Sequence, residues 1–336
     1  MPHRNRTQHR HKATDVFYYE APRPPRPPTR LERLRQLFAV RKTTLARLLL
    51  YTAILIIPLF LPQYLLYKSD PAFTIAQPVL RAGQTLAVRA DKISSRHSYY
   101  CAMDGRQQGG FLPDAAVPRL RALVPLPYET APGRHTIEVR QTLTNKTVFS
   151  ADIFIKTGIT ETKHLRIGKK KRAKLLSKKT EIRAARRSFG QAFTAAMPHQ
   201  LWRGTFILPA KGRFTSPPGQ LRILPDNKKT FHRGQDIALP IGSPVMAANQ
   251  GIVTLAGSAA DFPLQGSCVV IAHGQDVYSI YEHLDSTLVK EGAFVKKGQQ
   301  IATSGNTGYS TGPHLHWGMV IKGVMTDPMQ WLSTEF

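Results

Sequence analysis

Between residues 71 and 158 the chain alternates apolar and polar positions in short runs: TLAVRA (85–90), RALVPL (121–126), HTIEVRQTL (135–143) and TVFSADIFI (147–155). A period of two places the apolar side chains on one face of a strand. Gly, Pro, Asn and Thr clusters (RAGQ, APGRH, TNKT) separate the runs and mark turns. Strands at this spacing predict a small β-sandwich. No catalytic constellation falls inside it, so it reads as a structural or binding module.

Residues 201–336 repeat the theme with PVMAANQGIVTLAG (244–257), CVVIAHG (268–274), VYSIYEHL (277–284) and QIATSG (300–305), punctuated by glycine. Helical spacing shows in the segment between the two β-rich regions. There Leu175, Ile182, Phe189 and Phe193 fall 7, 7 and 4 apart, on one helical face. A different pattern covers residues 48–67, LLLYTAILIIPLFLPQYLLY, which run twenty positions without a charge. About 20 apolar residues cross a bilayer core as a helix, and breaks such as Pro58 and Pro62 are tolerated in such spans. The predicted fold class is therefore all-β: a C-terminal β-sheet domain, a small β-sandwich before it, and an N-terminal transmembrane helix. The divisions are a basic arm (1–47), the span (48–67), a sandwich (71–158) whose opening AFTIAQPVLRAGQTLAVRA resembles Ig-like accessory domains, a partly helical connector (159–200) and the C-terminal domain (201–336).

Charge sharpens this division. The chain of 336 residues has 47 Lys and Arg against 21 Asp and Glu, a net +26. Residues 1–47 contribute +9 and residues 163–187 contribute +11, whereas residues 188–336 contribute only +2. A nucleic-acid enzyme would carry its basic stripe on its working domain, so this distribution argues against nucleic acid as a partner. Basic residues Arg41, Lys42 and Arg47 precede the apolar span and only Lys68 follows it closely. The positive-inside rule then puts the N-terminus in the cytoplasm and the remainder outside. The long polar stretch before the span, and the lack of an A-x-A site after it, argue for a retained anchor over a cleaved signal peptide. The segment 163–187 reads either as a connector with a solvated basic face or as a contact for an anionic polymer or lipid headgroups. Cys101 and Cys268 lack zinc-type spacing and read as two buried small hydrophobes in separate domains.

Five of the twelve histidines follow residue 231: His232, His273, His283, His314 and His316. In FHRGQD, His232 and Asp236 stand four apart. In HLH, His314 and His316 are i and i+2 on a strand and share a face. Imidazole and carboxylate donors suit zinc, and three protein ligands leave a fourth position open, as catalytic sites do. Which histidine of HLH would be the third ligand is left open by spacing alone. No HExxH supplies the usual glutamate base, so the second histidine of HLH and His283 become the candidates for proton transfer and charge stabilisation. In YEHL, regular alternation places Tyr281 on the face of His283 and Glu282 on the opposite one. His273, before a glycine at a strand end, reads as a structural histidine. Gly305, Gly308 and Gly312 read equally as turn residues or as places where a substrate backbone comes close.

The ordered set HRGQDIALPIGSPVMAANQGIV, YEHL, VKKGQQIATSGNTGYSTGPHLHWGM and DPMQWL resembles the lysostaphin-type zinc metalloendopeptidases over roughly residues 201–332. FTSPPGQLRIL stands where many relatives have a more regular S-x-F-G-x-R turn. The resemblance implies one zinc ion per chain held by His232, Asp236 and His316, with His283 and His314 as the catalytic pair. It also implies a β-sheet metallopeptidase domain with a substrate groove, and as substrate the stem or bridge peptides of peptidoglycan. With the span it implies an enzyme of the inner membrane whose catalytic domain is periplasmic. The alternative is a tethered, non-catalytic peptidoglycan-binding scaffold that activates an amidase.

Overall fold

The computed structural model describes residues 29–31, 33, 71–91, 98–115, 119–165, 177, 179–195 and 197–336. The predicted span 48–67 and nearly all of the basic arm lie outside the described residues. Among the described residues no helix is long and apolar enough to cross a membrane.

The alternating runs of residues 71–158 form two sheets. One orders Ala72–Ile75, Thr85–Asp91, Leu120–Pro125 and Leu112–Pro113; the other orders Val79–Arg81, Thr147–Lys156, Gly133–Gln141, Tyr99–Met103 and Arg106–Gly110. Pairing is antiparallel except for Val79–Arg81, which lies parallel to Thr147–Lys156. Leu86, Val88, Ala122 and Val124 from the first sheet meet Cys101, Ile137, Val139, Ile153 and Ile155 from the second in one apolar core. Burying such side chains stabilises by roughly 1.5–3 kcal/mol each, which is why the period-two pattern dictates a sandwich.

The C-terminal region is built on a ten-stranded antiparallel sheet. Its main path orders Arg213–Phe214, Gln235–Ala238, His314–Ile321, Val277–Thr287, Ser267–Gly274, Gly251–Gly257 and Phe294–Val295. Strand alternation splits its side chains between two cores. Ile237, Val269, Ile271, Tyr281, Leu315, Trp317 and Met319 pack on one face. Cys268, Val270, Ala272, Tyr278, Ile280 and Val320 pack on the other, under a helix spanning Lys179–Gln191. That helix buries Ala185 and packs Phe189 against the sheet, while Arg183, Arg186 and Arg187 face solvent. Of the apolar positions that predicted it, Phe189 and Phe193 belong to this contact, and Leu175 lies outside the described residues. Cys101 and Cys268 are free thiols buried in separate cores.

A second, three-stranded sheet carries Thr162–His164, Leu221–Ile223 and Lys229–Phe231. Thr162–His164 pairs parallel with Leu221–Ile223. The start of the predicted connector is therefore a strand laid against the C-terminal region, ahead of the helix.

Candidate metal centre and groove

Three adjacent strands bring the site together by register. Asp236 on Gln235–Ala238 lies opposite His316 on His314–Ile321, and His316 lies opposite Glu282 on Val277–Thr287. Ala238 lies opposite His314. Directly paired residues share a face, so Asp236, His316 and Glu282 form one rank, away from the core that holds Tyr281 and Trp317. His232 enters from the turn after Lys229–Phe231. Gly234 in that turn has no room for a side chain: a Cβ there would lie 2.5 Å from the His316 ring. Its absence lets the turn close onto the strand.

The ligand atoms converge. His232 Nε2 is 3.0 Å from His316 Nδ1 and 3.0 Å from Asp236 Oδ1, and His316 Nδ1 is 2.8 Å from Asp236 Oδ1. All three residues are buried and offer one donor atom each within 4.8 Å of one another. The hydrogen bonds fix which nitrogens face inward. His232 Nδ1 is 3.0 Å from the Pro217 carbonyl, which can only accept, so Nδ1 carries the proton and Nε2 points its lone pair at the centre. His283 Nδ1 donates in the same way to the Thr307 carbonyl at 3.0 Å, and His314 Nδ1 to the Gly312 carbonyl at 2.7 Å. His316 alone uses Nδ1 toward the centre.

The fourth side of this cluster is formed by the other imidazoles. The His283 and His314 rings lie 4.7 Å apart, and His283 is 6.2 Å from His316. His314 Nε2 is 3.7 Å from Asp236 Oδ1. All five residues line a groove of about 770 Å³, together with Glu282, Arg222, Tyr309 and Lys163. Arg222 Nη2 approaches the second carboxylate oxygen of Asp236 at 3.5 Å.

Electrostatics favour a cation here. Burial alone would raise the Asp236 carboxyl, but the close imidazoles of His232 and His316 override it and hold Asp236 well below the usual carboxylate range. Burial lowers His232. Burial also lowers His283, and with the nearby His316 and His314 brings it to about 3, so it is a neutral imidazole. For His316 burial works downward, but Asp236 wins and raises it. Burial raises Glu282. A carboxylate and two imidazole lone pairs aimed at one point are the donor set of a divalent cation of borderline softness, so the residues fit the metal that the resemblance implies.

Position 283 corrects one expectation. His283 has φ 63°, and the pairing of Val277–Thr287 with Ser267–Gly274 shifts at this point. The extra residue of a bulge breaks the alternation. Glu282 and His283 therefore both face the groove, and Tyr281 turns into the core, where its hydroxyl accepts from Ala248 N and from Ser279 Oγ. Glu282 and Arg222 are the groove residues that sequence reasoning missed. Alternation counted back from His316 would have found Glu282 only with the strand register in hand. His273 is structural: both ring nitrogens are engaged, by Gln250 O at 2.7 Å and Ser279 Oγ at 2.8 Å. Of the three glycines, Gly305 and Gly308 pack against backbone at Asp285 and Gly266, while Gly312 is open and lines the groove.

Comparison with known proteins agrees with this geometry. Residues 230–328 match the model of peptidase family M23. The chain is 39% identical over 126 residues to the peptidoglycan DD-endopeptidase ShyA of Vibrio cholerae, covering 37% of this chain and 29% of the relative. It is 39% identical over 99 residues to the DD-carboxypeptidase/endopeptidase Mpg of Neisseria meningitidis, covering 30% of this chain and 22% of the relative. This chain thus spans less than a third of the length of these curated relatives. A crystal structure of a putative M23 peptidase from Pseudomonas aeruginosa shares the fold, with a TM-score of 0.54 and 23% identity over 75% of this chain and 94% of that one.

Proposed function

Because residues 230–328 form a domain of peptidase family M23, we propose that the protein is a zinc metalloendopeptidase that cleaves peptide cross-links of peptidoglycan. The observation that carries this is the convergence of His232, Asp236 and His316 beside a second imidazole pair in one groove. When bound, zinc supplies Lewis acidity toward a carbonyl and makes water a nucleophile near neutral pH.

The chain's own residues divide the remaining work. His232, Asp236 and His316 hold the ion, and the Pro217 carbonyl keeps the His232 tautomer correct. His283 and His314, with Nδ1 tied to backbone carbonyls, present Nε2 to the groove. There they orient the attacking water, take up its proton and stabilise the negative charge that develops on the scissile carbonyl oxygen. The groove seats an extended peptide across the centre. The span 48–67 tethers this domain at the inner membrane, facing the periplasm, and the basic stretch 163–187 contacts anionic wall or lipid groups.

The test is digestion of purified sacculi with and without a chelator, read by product mass. Cross-linked dimers turning into monomers in the zinc-loaded protein alone is the expected result. Loss of a terminal D-Ala without cleavage of cross-links would make it a carboxypeptidase. No change would favour the non-catalytic scaffold.

A further inference from the structure

The bonds to the backbone and Nδ1 of His232 all come from residues outside the stretch 230–328 that matches the peptidase family. The backbone N–H of His232 donates to Gln220 O at 2.9 Å, its carbonyl accepts from Gly219 N at 2.8 Å, and its Nδ1 donates to Pro217 O. The segment 217–220 in turn rests on the residues that leave the sandwich. Thr160 N donates to Gly219 O at 3.1 Å and Thr160 Oγ1 to Pro218 O at 3.0 Å. Leu221 N donates to Glu161 O at 2.8 Å, and the Gln220 amide donates to the Glu161 carboxylate. Gly219 approaches Gly158 so closely that a Cβ would lie 2.1 Å from the Gly158 carbonyl oxygen.

The two neighbours of His232 are gripped by the sandwich itself. The Phe231 ring stacks on Tyr128, with centroids 5.7 Å apart and planes 22° apart. Tyr128 is 4% exposed and is backed by Gly83, where any Cβ would collide with its ring. On the other side of His232, Arg233 donates to the Glu129 carboxylate. An exposed ion pair of this kind contributes little energy, but a buried aromatic stack fixes position.

We propose that the accessory sandwich is part of the metal centre: Tyr128, stacked on Phe231, and the 158–161 segment, bonded to 217–220, position His232 as a ligand. This rests on the metal reading given above. Tyr128 touches neither ion nor substrate and acts through the ligand's backbone, as a positioning residue. The sandwich then sets how tightly the metal is held, rather than serving only as a spacer.

The tyrosine hydroxyl is buried with no hydrogen-bond partner, so the ring alone carries the contact and phenylalanine should replace it. The experiment compares the full chain as wild type, Tyr128→Phe, Tyr128→Ala and Gln330→Ala. Gln330 bonds Thr85 N at 2.7 Å and Thr85 O at 2.9 Å, and so belongs to the same sandwich contact away from His232. Zinc affinity is read by chelator competition, and amide exchange at 219–221 and 231–233 is read in metal-free protein. Tyr128→Ala is expected to weaken zinc roughly 10-fold, as loss of an outer support does, and to speed exchange at 231–233. Tyr128→Phe and Gln330→Ala should keep wild-type affinity. Unchanged affinity and exchange in Tyr128→Ala, or an equal loss in Gln330→Ala, would overturn the proposal. Were wild type to take up no zinc, the metal reading would fall, while exchange at 231–233 would still decide whether the sandwich holds this segment.

Discussion

The sandwich and the C-terminal sheet are both made of antiparallel strands with a period of two, yet they bury different things. The main sandwich core is apolar throughout, from Phe73 to Ile155. The C-terminal sheet buries His232, Asp236, His273, His283 and His316. A buried polar group costs stability unless it is hydrogen-bonded. His273 meets that cost fully, with a partner on each nitrogen. His232, His283 and His314 each satisfy Nδ1 with a carbonyl and aim Nε2 into the cluster or groove. Between the two sheets of the sandwich strand alternation collects apolar side chains; in the C-terminal region it concentrates lone pairs. Half-satisfied imidazoles distinguish a working site from a structural histidine.

The sharpest way to break this contrast is to remove ligand and base separately. His316→Ala takes away one of three converging donors. It should abolish stoichiometric zinc uptake and lower cross-link cleavage by about 10³-fold or more, the scale of a lost Lewis acid. His283→Ala should keep the zinc and lower turnover by about 10²–10⁴-fold. Metal content and sacculus digestion on the same preparations check both. A His283 variant that digests at the wild-type rate would move that residue from the reaction to the scaffold.

Much of this contrast is legible in the amino-acid order. TLAVRA and most of HTIEVRQTL became strands of the sandwich, and Phe189 and Phe193 lie where the helix and the segment just after it pack onto the sheet. His314 and His316 share a face because i and i+2 must do so in a strand. What escaped depends on the fold. Glu282 reaches the groove because His283 takes φ 63° and interrupts the alternation, and no local signal in YEHL announces a bulge. Arg222 meets Asp236 only after two sheets are brought together. Likewise Thr162–His164 reads as basic connector, since a three-residue strand carries too short a pattern to stand out.

A second prediction sharpens the comparison from the packing side. Ile137 is fully buried between the two sheets of the sandwich. Ile137→Ala should lower stability by about 2–5 kcal/mol, through lost transfer energy and a residual cavity. Denaturant unfolding measures this. Zinc affinity of the protein that remains folded should be unchanged, because Ile137 supports no ligand. A parallel loss of metal affinity would mean that the sandwich reaches the metal centre through its core as well as through Tyr128 and the 158–161 segment.

The smallest effect concerns the sandwich's own histidine–carboxylate pair, which offers a control for the buried cluster. His135 Nδ1 lies 2.6 Å from Asp104 Oδ2, and Nε2 lies 2.8 Å from the Ala131 carbonyl. Both partners accept, so the ring is favoured as the doubly protonated cation. The bond to Asp104 raises His135 above its ordinary 6.5, against a smaller opposing effect of burial. Burial pushes Asp104 upward, but the bonds from His135 and the Thr136 N–H, with the nearby charges of His135 and Arg106, together lower it below 3.8. The histidine's contribution is complete below 6.5 and is lost as pH rises through its raised folded value. The carboxylate's is complete above 3.8 and is lost as pH falls through its lowered one. The pair therefore stabilises most between these limits. Since Asp104 is about half exposed, its worth should stay below about 1 kcal/mol. The difference in unfolding midpoint between wild type and His135→Gln should shrink as pH rises from 6 to 9, with zinc uptake unaffected at either end. A difference that held constant across that range would show that the ring acts there as a neutral hydrogen-bonding group, and the distinction between a charged surface histidine and the neutral buried ones would go with it.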